Sequence, residues 1–318
     1  MARERRVGRT PARRAVLAAT RALVLGGVLA AVAAVVPDSG SRPVESALIA
    51  VEQAEGVDLG RLADGDDVIT ILAVGSDARP GENMLRTRGD ALHLIFLNTR
   101  THAAADIGIA RDSYVPIPGH GSDRVNAALY YGGPQLLGET VGDLVGVRPD
   151  YVFVTRFTYF QDMVNAIGGI TVDNPREFSD SELWPQGFPR GEVELNGLTA
   201  IKFARIRYGL PGGDFDRSAN QSRIIAGIQR ALHERQDRPG FLAAGVQSVL
   251  ENMHTDLAPD ELYRLAQAVA DVDPRKVTSC VVTGGFATIG GASVISPDTA
   301  TARRYGDDAR EDATIRRC

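Results

Sequence analysis

Arginine and aspartate recur in four short segments of this chain, each set against an apolar run. The first is Gly75-Ser76-Asp77-Ala78-Arg79 and the second is Arg86-Thr87-Arg88-Gly89-Asp90. The third is Ile109-Ala110-Arg111-Asp112-Ser113-Tyr114. The fourth joins Phe203-Ala204-Arg205-Ile206-Arg207 to Asp214-Phe215-Asp216-Arg217 and Gln221. A guanidinium is a planar fork that stays charged and grips two oxygens at once. A carboxylate is a hard oxygen ligand suited to Mg2+. Brought together, the four segments would suit a densely anionic group. Taken singly, each has a plainer reading. Arg-x-Arg serves as solvated surface, Asp77 and Asp90 as turn or capping residues beside Gly75 and Gly89, and the last arginines as a structural network with Asp214 or Asp216.

The elements around these segments decide whether they can meet. Residues 68–74 are an apolar, β-rich run ended by Gly75, which predicts a buried strand. Residues 91–97 and 105–110 read as two more strands, so three of the segments flank strand ends, where open α/β sheets bind ligands. Pro134 opens a helix that ends near Gly146, and a strand at 151–155, a helix at 157–167 and a short strand at 170–172 follow. Asn196 caps a helix through Ala204, and Asp216 caps one to about Arg235. Helices are expected at 241–253 and 259–271, and a last strand at 276–283. If the chain leaves the Asn196 helix extended, Arg205 and Arg207 face the same side. On the helix from Asp216, positions 217, 221, 224, 225, 228 and 232 share one stripe. Four of them are Ile224, Ile225, Ile228 and Leu232, so Arg217 and Gln221 continue a buried face. Strands interleave with helices and several lack polar alternation, which predicts an α/β fold with helices on both faces of a sheet.

Composition narrows the class. The chain has 318 residues, 44% hydrophobic and 24% charged, enough for a core and against intrinsic disorder. Two cysteines exclude a disulfide scaffold or a Cys-rich zinc module, and the five histidines form no H-x-x-x-H or H-x-H pair. Residues 1–14 hold six Arg and one Glu, whereas residues 38–318 carry a net −11. So acidic a body argues against a nucleic-acid partner. Residues 15–36 are apolar apart from Thr20 and Arg21 and long enough to cross a bilayer, with the positive flank first. This predicts a cytoplasmic basic leader (1–14), one transmembrane signal-anchor helix (15–36) and an exported body, a cleaved signal peptide being the alternative. Residues 37–66 read as an extracytoplasmic stalk with a helical stretch at 44–54, residues 67–283 as the main folded domain, and residues 284–318 as a loosely ordered tail. Outside the cytosol Cys280 and Cys318 could pair, a question of geometry that the sequence leaves open.

In order and spacing, residues 68–232 resemble the LytR–CpsA–Psr family of bacterial cell-wall enzymes. The resemblance rests on Gly75 to Arg79, Arg88-Gly89-Asp90, Ala110-Arg111-Asp112 and Arg124-Val125-Asn126-Ala127-Ala128. It continues through Gly132-Gly133-Pro134, Asp150-Tyr151, Gly168-Gly169 and Leu195-Asn196-Gly197, and closes on Arg205-Ile206-Arg207, Asp214 to Arg217 and Gln221. Gly89 and Ala91 replace the family's hydroxyl residues, Ala110 its proline, Arg124 its lysine, and Asn220 the arginine before the glutamine. The resemblance implies an α-β-α layered domain with a central mixed sheet. It also implies transfer of a glycopolymer (teichoic acid, capsular or arabinogalactan type) from a polyprenyl-diphosphate carrier to peptidoglycan. On that reading Arg88, Arg111, Arg205, Arg207 and Arg217 form a diphosphate clamp, with Arg124 and Gln221 assisting, and Asp77 and Asp90 hold Mg2+. Two other activities fit the same residues: hydrolysis of the carrier diphosphate, and non-catalytic binding of wall polymer or lipid.

Overall fold

The computed structural model describes residues 47, 49–53, 68–243, 245, 247, 252–255 and 257–318. The expected leader and transmembrane helix, and residues 244, 246 and 248–251 of the expected 241–253 helix, lie outside the described residues; residues 241–243, 245 and 247 are helical, and Met253 instead belongs to a strand. The described elements begin with β1 (Ile49–Gln53), β2 (Val68–Ser76), β3 (Gly89–Asn98) and β4 (Ala104–Ile109). A hairpin of β5 (Tyr114–Ile117) and β6 (Gly121–Arg124) leads into α1 (Ala127–Val145). Next come β7 (Tyr151–Arg156), α2 (Phe157–Ala166), β8 (Ile170–Asn174), β9 (Phe178–Asp180), β10 (Trp184–Phe188) and β11 (Gly191–Leu195). They are followed by α3 (Gly197–Arg205), α4 (Asp214–Arg235), β12 (Met253–Thr255) and α5 (Pro259–Asp271). The chain closes with β13 (Val277–Val282), β14 (Gly284–Ile289), β15 (Ala292–Pro297) and α6 (Thr299–Asp312).

Among the described residues seven strands form the central sheet in the order β12-β1-β7-β2-β3-β4-β13. The sheet is mixed: β1 and β12, β2 and β7, and β4 and β13 are parallel, and the other neighbours are antiparallel. Strand pleating sends alternate residues to opposite faces. Leu72, Val74, Leu92, Leu94 and Phe96 are buried in one cluster with α1 and α6 residues. Ile69 and Leu97, with Ile71 and Ile95, pack on the other face with Tyr159 of α2 and Leu262 and Leu265 of α5. A separate cluster joins Phe178, Phe188, Phe203 and Ile224, tying the small hairpins to α3 and α4. Helices thus cover both faces, as the interleaved pattern predicts.

The structure differs from the sequence reading in several elements. Residues 49–53 are a strand between β12 and β7, not part of a helical stalk; Ile49, Ala50 and Val51 are all buried, as a strand covered on both faces requires. The first helix begins at Ala127 and kinks at Gly133, so Pro134 opens its second segment rather than the helix itself. Helix α4 begins at Asp214, and Asp216 instead accepts a hydrogen bond from the Gly212 N–H at 2.9 Å. Residues 284–318 are not loose: a hairpin and a 14-residue helix bury Ala302, Tyr305, Ala309 and Ile315 in the α1 cluster. Gly306 makes that contact possible, because a Cβ there would stand 2.3 Å from the Val145 carbonyl oxygen. A disulfide joins Cys280 of β13 to Cys318, with Cα atoms 5.4 Å apart.

Candidate active site

The ends of β2, β4 and β7 and the start of β3 share one end of the sheet, so the first three charged segments meet there. A β-bulge decides how they meet. Gly75 pairs with Ala91 and Ser76 with Gly89, which leaves Asp90 as the extra residue of β3. Bulges re-aim side chains in this way. Arg111, two residues past β4, donates from Nη1 to the Asp90 carboxylate. Burial lowers the hold of Arg111 on its proton, but the charges of Asp90, Asp112 and Asp214 outweigh it and raise its pKa. The Asp77 backbone N–H donates to the Arg88 carbonyl at 3.3 Å. Burial and the nearby negative charge of Asp90 push the Asp77 carboxyl up, against the pull of Arg111.

The fourth segment arrives from the opposite wall. Asn196 caps α3 reciprocally with Thr199, and the buried Ala200 and Phe203 carry the helix as far as Arg205. Arg205 is therefore helical rather than extended, and its guanidinium lies over the Phe157 ring at 5.3 Å. Arg207 follows the Ile206 cap and lies 6.0 Å from the Tyr208 ring centre. Within α4, Arg217 Nη2 stands 2.5 Å from Asp214 Oδ1, both side chains almost wholly buried. Burial pushes the Asp214 carboxyl up, opposed by Arg217, while Asp112, Arg111 and Arg207 are all close enough to act on it. The Nε atoms of Arg111 and Arg217 are buried and have no hydrogen-bond partner among the described residues.

A cavity of about 350 Å³ lies between this end of the sheet and α2, α3 and α4. Asp90, Arg111, Arg205, Arg207, Arg217 and Gln221 form its charged and polar wall. Phe153, Phe157, Phe160, Met163, Ile225 and Ile228 supply most of its oily remainder. Ile224 and Ile228 of α4 pack in the core cluster with Phe203, as the sequence stripe predicts, and with Ile225 they also line the cavity. Asp77, Arg88 and Arg124 do not line it. Arg124 instead donates to the Ser293 carbonyl at 2.9 Å and pairs with Asp112 at 3.5 Å, behind Arg111.

Sequence reasoning missed two buried groups here. Arg156 anchors the loop after β2 through the carbonyls of Arg79 and Glu82, and reaches the carbonyl of Ala47 just before β1. His93 bonds Asp106 on one side at 2.9 Å and Gln221 on the other at 3.3 Å, and it also lines the cavity. A polar residue in the middle of each of two apolar runs was the only available signal for the His93–Asp106 pair.

Asp77 and Asp90 fit Mg2+ in kind, since both offer hard oxygens and the charge of Asp90, with burial, pushes the Asp77 carboxyl up. Among the described residues no third acidic or histidine ligand joins them. Such a pair would leave the remaining positions to water and substrate oxygens, which is how Mg2+ is commonly held.

Taken together, fold and site define an α-β-α domain whose arginines crowd one end of an oily cavity at the strand ends of a mixed sheet. The chain belongs to the LytR_cpsA_psr family, whose model matches residues 36–310. It is 30% identical over 216 residues to the polyisoprenyl-teichoic acid–peptidoglycan teichoic acid transferase TagU of Bacillus cereus, covering 67% of this chain and 68% of that protein. The crystal structure of Bacillus subtilis TagV superposes with a TM-score of 0.63 at 25% identity, over 78% of this chain and 98% of that one. TagT bound to LIIa-WTA gives the same TM-score, 0.63, at 25% identity, over 78% and 92% of the two chains.

Proposed function

We propose that this protein transfers a cell-wall glycopolymer from a polyprenyl-diphosphate carrier to peptidoglycan. One observation carries the reading: Arg111, Arg205, Arg207 and Arg217 converge on a cavity that is otherwise mostly hydrocarbon. A lipid tail needs the oily wall and a diphosphate needs the guanidiniums. Related transferases bear names for the same chemistry.

In the transfer, an acceptor hydroxyl oxygen attacks the phosphorus bonded to the polymer. The bond from that phosphorus to the bridging oxygen breaks, and polyprenyl phosphate leaves. The hydroxyl proton passes to a carboxylate at the strand ends. Such a reaction needs neutralisation and in-line placement more than covalent help. Arg205 and Arg207 come from one wall and Arg111 and Arg217 from others, so the phosphates are held from several sides. Asp77 and Asp90 would hold Mg2+, which supplies further neutralisation of phosphate charge when bound. The domain works outside the cytoplasm, tethered by the apolar run at 15–36. The Cys280–Cys318 bond supports an oxidising compartment. Among the described residues no helix is long and apolar enough to cross a membrane, and the 15–36 run lies outside them.

The test is a transfer assay with purified full-length protein, a polyprenyl-diphosphate-linked polymer and peptidoglycan. Transfer supports the reading; release of free polymer with every acceptor would show a hydrolase instead. Arg205→Ala or Arg207→Ala should cost about 2–4 kcal/mol of transition-state stabilisation, read as kcat/KM. Wild-type turnover in both variants would remove them from the clamp. Ile228→Trp should fill part of the oily wall and raise KM for a long-chain carrier more than for a short-chain one. Equal changes for both chains would place the lipid elsewhere.

A further inference from the structure

The apolar strands β3 and β4 carry a histidine and an aspartate where hydrocarbon would be expected. His93 is 2% and Asp106 3% exposed. Their strands are antiparallel, with His93 opposite Gly108 and Ile95 opposite Asp106, so the two side chains are diagonal neighbours on one face. Gly108 leaves the space for the imidazole, since a Cβ there would reach His93 Cε1 at 3.4 Å and Val281 Cγ2 at 3.2 Å. Asp106 Oδ1 lies 2.9 Å from His93 Nδ1, and Gln221 Oε1 lies 3.3 Å from His93 Nε2. Gln221 Nε2 in turn donates to the Ala204 carbonyl at 3.2 Å and reaches the Asp90 carbonyl at 3.5 Å.

These contacts fix a direction. The Gln221 amide nitrogen faces two carbonyls, so its oxygen must be the atom turned to His93. His93 Nε2 must then carry a proton. We propose that His93, held by Asp106, is a positioning residue: it locks the Gln221 amide so that Gln221 straps the Asp90 bulge to the end of α3 beside Arg205. The strap joins the two walls that bear the clamp. This rests on the cavity's being the diphosphate site.

The orientation is sensitive to pH. With Asp106 ionised, Nδ1 also keeps a proton and the ring is an imidazolium. Burial opposes that charge, but Asp106 and the two hydrogen bonds outweigh it and hold the ring protonated above its ordinary value of 6.5. Asp106 faces His93 from β4 and Ala73 lies opposite on β2, while α4 presents Gln221. Asp90, Arg111 and Arg217 share the cavity wall. When the ring loses its proton, Asp106 retains the Nδ1 hydrogen and Nε2 presents a lone pair to the Gln221 oxygen. The amide is then repelled and the strap opens. Stability from the pair is complete below the ordinary imidazole value and lost as pH rises through the raised one.

Two measurements on the full-length protein test this. Nitrogen-15 histidine NMR at pH 7, with His93 assigned by its absence in His93→Gln, should show a proton on Nε2; a bare Nε2 overturns the proposal. The transfer assay should show wild-type activity falling on the alkaline side. His93→Gln, whose amide places a permanent donor near the Nε2 position, should stay within about threefold of wild type and lose that alkaline limb, whereas His93→Met should fall about tenfold. An unchanged alkaline limb in His93→Gln overturns the proposal, even if His93→Met does not fold. Absence of transfer by wild type would sink the proposed function and leave the NMR result to judge the strap.

Discussion

Arg217→Ala should both unfold more readily and lose transfer, because one side chain serves two demands. Its guanidinium neutralises Asp214, which is 2% exposed, and it lines the cavity. Removing one partner of a buried ion pair leaves the other charge uncompensated, at about 3–5 kcal/mol of stability. Transfer should fall further, since a donor to phosphate oxygens is lost as well. The two effects separate in the double variant Arg217→Ala with Asp214→Asn. Neutralising residue 214 should recover much of the denaturation midpoint and none of the turnover. Recovery of both would make Arg217 structural only; recovery of neither would mean that the pair matters for more than its charge.

A larger effect is expected from deleting residues 299–318. Tyr305 is 4% exposed, Ala302 and Ala309 are wholly buried, and all three pack in the principal cluster with α1. Stripping them opens that face of the sheet to water, and the loss should exceed the few kcal/mol by which domains are commonly stable. The truncated chain should show no cooperative unfolding transition. A milder form of the experiment is Cys280→Ser. The bond spans 38 residues, and its loss should cost about 4 kcal/mol on the chain-entropy argument. A truncated chain with a normal melting curve would mean that α6 is an accessory to the fold.

How far the fold could be read beforehand follows from where hydrocarbon is concentrated. Residues 68–74 announce themselves as a β-branched run and 91–97 as an apolar run broken only by His93, and the 259–271 helix appears with the expected bounds. Residues 284–318 do not, because most of the buried contacts of their helix are made by small residues, Ala302, Gly306 and Ala309, with Tyr305 the one large side chain among them, and so carry little pattern. Strand β1 is only five residues long and ends in Glu52 and Gln53, and only the sheet explains its burial. For the site, the α4 stripe correctly joined Arg217 and Gln221 to one face, though that face borders a cavity. The joint presence of Arg111, Arg205 and Arg207 was legible only through the family resemblance. The placement of Arg88 and Arg124 off the wall depends on loop geometry around Asp77 and on the β15 contact at Ser293, neither of which spacing reveals. The His93–Asp106 pair depends on the β3–β4 register, which no local pattern sets.

The extra residue at Asp90 changes the parity of its strand. In an unbroken pleat, Asp90 and Ala91 would look in opposite directions, yet here both border the same cavity, with His93 beyond them. One inserted position therefore puts an acid and the greasy lining into a single wall. The site is encoded in chain length as well as in side-chain identity. Removing Gly89 would bring Asp90 opposite Ser76, where a regular pleat turns its carboxylate to the face opposite Ala91 and away from the cavity.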